Sequence, residues 1–279
     1  MFMEQEKANH SIKRMCRVLG VSRSGYYAWC RRSVSSRKEA DAELTEKIEA
    51  IYEKSRGIYG APRIHAELRD EHEVRCSRKR VARLMRQAGL VGVHRRKYQG
   101  STRRDPKRDP YPDLVERQFT VDEPNKLWVA DVTQHETEEG WLFLAVIIDV
   151  YSRLIVGWSM GERFTAELVL SALEMALWNR QPEEGVIHHS DHGSQYTSLA
   201  FGEGLEGAGV LGSMDSVGDA LDNAVAESFF ATLQTELLDR YEWPTRQSLR
   251  SAIFEFIHVF YNRQRRHVCP AWGTRASAI

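Results

Sequence analysis

The chain of 279 residues has no net charge, because its two parts carry opposite charges that cancel. Residues 1–117 contain 28 Lys and Arg against 16 Asp and Glu, a net charge of +12. Residues 118–279 contain 11 Lys and Arg against 23 Asp and Glu, a net charge of −12. A basic stretch favours phosphate-rich partners, whereas an acidic stretch this dense repels them unless cations neutralise it locally. We therefore predict two units with different tasks.

Length and composition indicate a globular chain. The residues are 42% hydrophobic and 28% charged, which is enough apolar material for a buried core. The longest apolar candidate, Trp141 to Val150, is interrupted by Asp149, and the N-terminus lacks the apolar core of a signal peptide. We therefore expect a cytoplasmic protein without a membrane partner. The four cysteines lie far apart without a Cys-x-x-Cys pair, so neither a disulfide framework nor a zinc finger is predicted.

The first part of the basic half is predicted to be helical. Residues 1–38 are expected to form a helix-turn-helix-like segment, in which a Gly-containing turn precedes a second helix capped by Ser22. Residues 39–93 are expected to form a helical DNA-binding domain, and the helix that starts near Ser77 is its predicted recognition helix. The DNA contacts expected on that helix are Arg78, Lys79, Arg80, Arg83 and Arg86. The alternative is a solvated basic face without specific contacts.

Residues 94–121 are predicted to be a basic linker or arm. This stretch is poor in aliphatic residues and cannot form a core, so we expect it to become ordered on a phosphate backbone. The DNA contacts expected within it are Arg95, Arg96, Lys97, Arg103 and Arg104. A plain linker without DNA contact is the alternative.

The acidic half shows an α/β pattern. Residues 122–240 are expected to form a catalytic core, and residues 241–279 a C-terminal helix and tail. The predicted strands are Leu127–Thr133, Trp141–Val150, Arg153–Ser159, Val186–Ser190 and Val210–Met214, and the predicted helices are Ala166–Asn179, Ser198–Leu205, Ala220–Leu238 and Ser248–Asn262. Three strands, helix, strand, helix, strand and helix is the order of a ribonuclease H-like core, with a mixed five-stranded sheet.

Three carboxylates occupy informative positions in this pattern. Asp131 interrupts an apolar strand, Asp191 ends the fourth strand, and Glu227 follows after 35 intervening residues on the long helix. An ionised carboxylate in an apolar strand is costly unless a cation or several donors compensate it. Carboxylates are preferred Mg²⁺ ligands, and a pair of ions held by shared carboxylates supports in-line phosphodiester displacement. The trio therefore predicts a two-metal site for cutting and joining DNA.

Motifs along nearly the whole chain resemble one family. They are Ser24-Gly25-Tyr26-Tyr27-Ala28-Trp29, Tyr59-Gly60 with Arg63-Ile64, Trp128-x-Ala130-Asp131-Val132-Thr133, Ile148-Asp149-Val150-Tyr151-Ser152-Arg153, His189-Ser190-Asp191-His192-Gly193-Ser194-Gln195-Tyr196, Asp222-Asn223-Ala224-x-x-Glu227-Ser228-Phe229-Phe230 and Tyr261-Asn262-x-x-Arg265-x-His267. In this order they resemble the second-reading-frame transposase of the insertion-sequence-three family, within the DDE transposases and retroviral integrases.

The resemblance implies a catalytic and metal-binding triad of Asp131, Asp191 and Glu227, with Mg²⁺ or Mn²⁺ as cofactor. It also implies transposon ends and target DNA as partners, and a location on the bacterial nucleoid. Pairing two ends argues for a homo-oligomer on DNA, and the upstream reading-frame product is a further expected partner or fusion. His189 and Asn223 are expected to support the site. Gln234 stands where relatives usually have Lys or Arg, so weaker end binding is expected.

The acidic half also allows other interpretations. The cluster His188, His189, Asp191 and His192 suggests zinc, but neighbouring strand residues point to opposite faces. Residues 202–207 match a dinucleotide fingerprint, but they do not directly follow a strand. Asp149 is interpreted as structural, with a role in orienting a donor as the alternative. A DNA-binding regulator and a simple endonuclease or junction resolvase remain the functional alternatives.

Overall fold

The computed structural model describes residues 2–31, 35–93, 114–115, 121–191, 195–214 and 224–267. The first helices are α1 (Phe2–Gln5), followed by a 3₁₀ turn at Glu6–Ala8, α2 (Ile12–Val18), α3 (Arg23–Cys30), α4 (Ser36–Lys54), α5 (Ala61–Asp70) and α6 (Arg78–Gln87). Within these ranges, no helix combines the length and apolar character needed to cross a membrane.

Serine residues define where the N-terminal helices begin. The side chains of Ser11, Ser22, Ser35 and Ser77 each accept a hydrogen bond from the backbone N–H three residues ahead. Each serine thereby satisfies a backbone donor that the helix itself leaves without a partner. Gly20, with φ of +67°, makes the turn between α2 and α3. The predicted order of a helix, a glycine-containing turn and a second helix capped by Ser22 is therefore present over Ile12–Cys30.

The second part of the chain is built on one five-stranded sheet. Its strands are β1 (Leu127–Thr137), β2 (Gly140–Asp149), β3 (Ile155–Gly161), β4 (Ile187–Ser190) and β5 (Leu211–Met214), in the spatial order β3-β2-β1-β4-β5. The β1–β2 and β2–β3 pairs are antiparallel, whereas β1–β4 and β4–β5 are parallel. The predicted mixed five-stranded sheet and its ribonuclease H-like order are confirmed.

In the part of the chain that the structure describes, four helices cover this sheet. They are α7 (Ala166–Arg180), α8 (Leu199–Gly207), α9 (Ala224–Glu236) and α10 (Arg246–Glu255), with a 3₁₀ turn at Leu238–Arg240 after α9. The single helix predicted over Ser248–Asn262 is wrong in its second part, because the chain continues from α10 into a π-helical stretch, Phe256–Tyr261. The would-be dinucleotide fingerprint, residues 202–207, lies inside α8 rather than in a turn that opens a helix.

Alternate residues of β1 face two different cores. Trp128 and Ala130 pack in the core with α7 and α8, whereas Leu127 and Val129 pack in the core with α9 and α10. This alternation follows from the two-residue period of a strand. The core on the α9 side is continuous with the buried residues of α4, α5 and α6, so the helical domain packs against this side of the sheet.

Gly157 on β3 allows α7 to approach the sheet closely, which makes it a test of the packing. A Cβ at this position would lie 2.1 Å from the Ala172 carbonyl oxygen and 2.8 Å from the Ala176 nitrogen. Because backbone atoms cannot step aside cheaply, we expect Gly157→Ala to lower the free energy of unfolding by about 1–3 kcal/mol. Urea denaturation measures this change.

Gly207 provides the control for that substitution. It ends α8, and a Cβ there would meet nothing within 4 Å. Gly207→Ala is expected to change stability by less than about 1 kcal/mol, in the stabilising direction. Equal effects of the two substitutions would contradict the proposed close approach of α7.

Candidate active site

Parallel pairing places β4, which ends just before Asp191, beside β1, which carries Asp131. The register pairs Leu127 with Ile187 and Val129 with His189. Asp191 directly follows the end of β4, two residues beyond His189. Side chains at matched positions of neighbouring strands lie on the same side of the sheet. Asp131 is half-buried within β1, whereas Asp191 is exposed.

Tyr196 provides an independent sign that the two aspartates share one neighbourhood. Its side chain is 2% exposed. Burial raises the pKa of the Tyr196 phenol well above its ordinary value, and the charges of Asp131 and Asp191 raise it further. The phenol therefore stays neutral near both carboxylates. Asp131 Oδ1 also accepts a hydrogen bond of 2.7 Å from the Val132 backbone N–H.

Glu227 lies on the helix that covers the same side of the sheet as Asp131. It occupies the first turn of α9 and is exposed, while Val225, Ala226 and Phe229 beside it are buried. Those apolar residues pack in the core that also contains Leu127 and Val129. The helix therefore presents Glu227 outward and anchors itself through its neighbours.

The three carboxylates do not form one compact group in the structure. Throughout the described ranges, no three His, Cys, Asp or Glu side chains lie close enough to hold a metal ion. Asp131 lies within β1, Asp191 follows β4, and Glu227 lies on α9. Residues 192–194 and 215–223, which flank Asp191 and precede α9, lie outside the described residues, and the predicted supporting residue Asn223 lies among them.

The histidines before Asp191 have structural contacts. His189 Nδ1 lies 2.9 Å from the Ser213 hydroxyl on β5, and that hydroxyl also accepts the Leu114 backbone N–H at 3.0 Å. His188 is buried against the rings of Tyr196 and Phe201. Burial lowers the pKa of His188 to about 4, so its ring is neutral at physiological pH. Among the described residues no zinc cluster forms, and His192 lies outside them.

Asp149 is fully buried and holds the turn after β2. Its carboxylate accepts the backbone N–H groups of Asn125 and Ser152, each at 3.0 Å, and a short hydrogen bond from the Ser152 hydroxyl. Arg180 of α7 lies 3.6 Å away and supplies the compensating charge. These contacts support the structural interpretation of Asp149, since several donors and a cation compensate its burial.

The basic residues of α6 fall into two groups. Arg78, Lys79 and Arg86 are exposed. Arg80 Nε and Arg83 Nη2 instead donate to the two carboxylate oxygens of Asp41 on α4, both at 2.7 Å. Hydrogen bonds from Arg83 and Arg80 hold the pKa of Asp41 below its ordinary value. The predicted contacts Arg95, Arg96, Lys97, Arg103 and Arg104 all lie outside the described residues.

Known protein families match most of this chain. Residues 38–98 match the HTH-like domain family, and residues 121–220 and 227–275 match two integrase core domain families. The transposase InsF for insertion sequence IS3A of Escherichia coli K12 is 40% identical over 269 residues, which are 96% of this chain and 93% of that protein. The chain belongs to the IS3 transposase family.

Two further similarities accompany this assignment. An uncharacterized 31 kDa protein of insertion element IS600 from Shigella sonnei is 43% identical over 253 residues, covering 91% of this transposase and 93% of that protein. The catalytic core of HTLV-2 integrase, solved with magnesium in a trimeric form, is 20% identical and covers 55% of this chain and 94% of that one, with a TM-score of 0.40.

Gln234, at the position where the resemblance leads us to expect a basic residue, is exposed on α9. Its side-chain amide donates to Asp239 Oδ1 at 2.6 Å. Gln234 therefore already has an acidic neighbour, which would also face any cation placed at this position.

Sequence reasoning missed two residues of this transposase that bear on its predicted sites. Tyr196 stands five positions after Asp191 within a family motif, and that spacing was its available signal. Asp41 is 39 residues from Arg80 and 42 from Arg83, and the sequence gives no sign of these pairings.

Two aspartate substitutions distinguish structural from catalytic acids. Asp149→Asn breaks a buried ion pair and turns an amide toward N–H donors, so we expect a loss of about 3–5 kcal/mol in the free energy of unfolding. Asp191→Asn removes one of two adjacent negative charges at an exposed position, so we expect a change within about 0.5 kcal/mol or a small gain. Urea unfolding at neutral pH without metal compares them, and equal losses would make Asp191 a structural acid.

Proposed function

We propose that this transposase cuts at the ends of its element and joins them to another phosphodiester, with Asp131, Asp191 and Glu227 as the catalytic carboxylates. The proposal rests on the position of Asp131 within β1 and of Asp191 directly after β4, the parallel neighbour of β1. The charges of both aspartates act on Tyr196. Two like charges in one place raise each other's cost of ionisation unless a cation lies between them. A hard divalent ion suits such an all-oxygen donor set.

In this proposal the three carboxylates hold Mg²⁺ or Mn²⁺, as a pair of ions. When bound, the ions would activate a water or a 3′-hydroxyl and stabilise the leaving oxygen. In this proposal β1 carries Asp131, β4 ends immediately before Asp191, and α9 presents Glu227 on the same side of the sheet as Asp131. Residues on strands and helices, here Asp131 and Glu227, keep their geometry better than residues on loops.

The helical region supplies DNA recognition in this proposal. Arg78, Lys79 and Arg86 on α6 are exposed and free of the Asp41 pairing, so they are the first candidates for phosphate or base contacts. The transposase would act as a homo-oligomer that pairs two ends, with the upstream reading-frame product as a further partner. A simple endonuclease and an inactive regulator are the functions that the first experiment below separates from transfer.

The first experiment supplies purified transposase with DNA carrying the element's ends and Mg²⁺. Joined products are expected, and Asp131→Asn, Asp191→Asn and Glu227→Gln should each lower them at least about 1,000-fold. Glu174→Gln, an exposed acid on α7 across the sheet, is the matched control and should keep full activity.

Three results would contradict the proposal. Nicking without joining would indicate an endonuclease, and end binding without any reaction would indicate a regulator. Retained activity in Asp191→Asn would remove that residue from the catalytic set.

A second prediction concerns Gln234. Gln234→Lys should raise affinity for end DNA and steepen its salt dependence by about one counterion. Because Asp239 would pair with the new lysine, we expect a larger gain when Asp239→Asn is added. Gln247→Lys, an exposed position on α10, controls for charge alone. Equal gains at positions 234 and 247 in gel shifts across a salt series would contradict a local role for position 234.

A further inference from the structure

The last residue of α9 is a buried carboxylate shared by two arginines. Glu236 is 7% exposed and accepts hydrogen bonds from Arg265 Nε and Nη2, both at 2.8 Å. It also accepts from Arg63 Nη1 at 3.1 Å. Arg63 belongs to α5 of the helical domain, and Arg265 follows the π-helical stretch. One acid on the helix that bears Glu227 thus contacts two distant parts of the chain.

Arg266, next to Arg265 in the chain, makes the reverse arrangement, in which one arginine is shared by two acids. Arg266 is 6% exposed, and its guanidinium donates to Glu67 at 3.1 Å and to Asp70 at 2.7 Å. Both acids lie on α5. The Arg266 backbone N–H also donates to the Tyr59 hydroxyl at 2.8 Å, just before α5 begins. The segment that contains Arg265 and Arg266 therefore contacts two acids of α5 and the phenol of Tyr59 just before α5.

The beginning of this segment is attached to the catalytic sheet. The Asn262 side chain accepts the Ile155 backbone N–H at 3.0 Å and donates to the Ile155 carbonyl at 2.9 Å, on β3. The Tyr261 ring packs edge-on against Phe229 of α9, with centroids 4.9 Å apart. His267 Nε2 lies 3.0 Å from the Tyr261 carbonyl oxygen. Residues 261–267, here called the clasp, thus contact β3, α9 and α5.

The charges of the clasp favour one arrangement of these elements. Burial alone would raise the pKa of Glu236, but Arg265 and Arg63 hold it below its ordinary value, so it is ionised. A buried charge that loses its partner is strongly destabilising, whereas an intact buried pair adds little net stability. Paired oxygens and the planar guanidinium of Arg265 also demand a specific geometry. The ion pairs therefore determine how α5, α9 and the clasp are placed more than they add to the free energy of unfolding.

We propose that Glu236, Arg265 and Arg266 are positioning residues of the transposase: the clasp fixes the DNA-binding helical domain relative to the helix that carries Glu227. DNA held by the helical domain is then presented to the carboxylates in one orientation. This role in the reaction rests on the proposed function, whereas the fixed contact between α5 and α9 does not.

Hydrogen exchange on the DNA-free protein tests the fixed contact. Glu236→Gln and Arg265→Lys should raise amide exchange in α5 and in residues 261–267, while exchange in β1 and β2 stays unchanged. Arg265→Lys keeps the charge but loses the paired geometry, so it guards against a variant that simply fails to fold. Glu255→Gln is the matched control, because Glu255 at the end of α10 also pairs with an arginine of the helical region, Arg56 after α4, but is 58% exposed.

DNA assays test the consequence for the reaction. Glu236→Gln and Arg265→Lys should keep their affinity for end DNA within about twofold, yet lose joined product about 10- to 100-fold at saturating DNA, because misplaced reactants react slowly. Glu255→Gln should match the wild type in both assays.

Several outcomes would overturn the proposal. Unchanged exchange in α5 and the clasp would remove the fixed contact, and raised exchange throughout the sheet would make these residues merely structural. Normal joining in both variants would remove the positioning role. If the wild-type protein itself makes no joined product, the proposed function fails, while the exchange experiment still decides the fixed contact.

Discussion

The parallel pairing of β1 with β4 is the constraint on which the candidate site depends. β1 is the central strand of the sheet, with an antiparallel neighbour on one side and a parallel neighbour on the other. Parallel pairing sets β4, which Asp191 follows, beside the first half of β1, which carries Asp131. A one-residue change of register would turn one aspartate to the opposite face. The central strand β1 therefore supplies residues to the cores on both sides of the sheet and also carries Asp131.

The opposite charges of the two halves do not explain how the halves are joined. The basic half contributes Arg63 to the interface, but it also contributes Glu67 and Asp70, which bind an arginine from the acidic half. The halves are joined by individual ion pairs rather than by a general attraction between a positive and a negative surface. In some pairs the basic half supplies the arginine, and in others it supplies the acid. Such pairs are less screened by salt than exposed charges, because they are buried or partly buried. The basic surface is thus left available for phosphate while the two domains stay in contact.

Much of this fold could be predicted from the sequence, because strand and helix periods are local signals. The interruption of an apolar strand by Asp131, and the position of Asp191 at a strand end, are local signals of the same kind, so both acids could be located from the sequence alone. The partners of Glu236 could not be predicted in this way, because Arg63 is 173 residues away and Arg265 is 29 residues away. The π-helical stretch was also missed, since its hydrogen bonds, such as Asn262 N–H to the Ile257 carbonyl, alter a period read as α-helical.

The pairing of Asp41 with Arg80 and Arg83 has a thermodynamic consequence for DNA recognition. Binding to phosphates gains free energy mainly by releasing condensed salt ions into solution. An arginine that must first leave Asp41 exchanges one anionic partner for another and leaves a carboxylate near the duplex. In the DNA-binding role proposed for α6, its share of the affinity would therefore be smaller than that of Arg78 or Arg86. Pairing two of its arginines with Asp41 would in that role reduce the attraction of α6 to arbitrary DNA and leave a larger part of the binding free energy to contacts that depend on sequence.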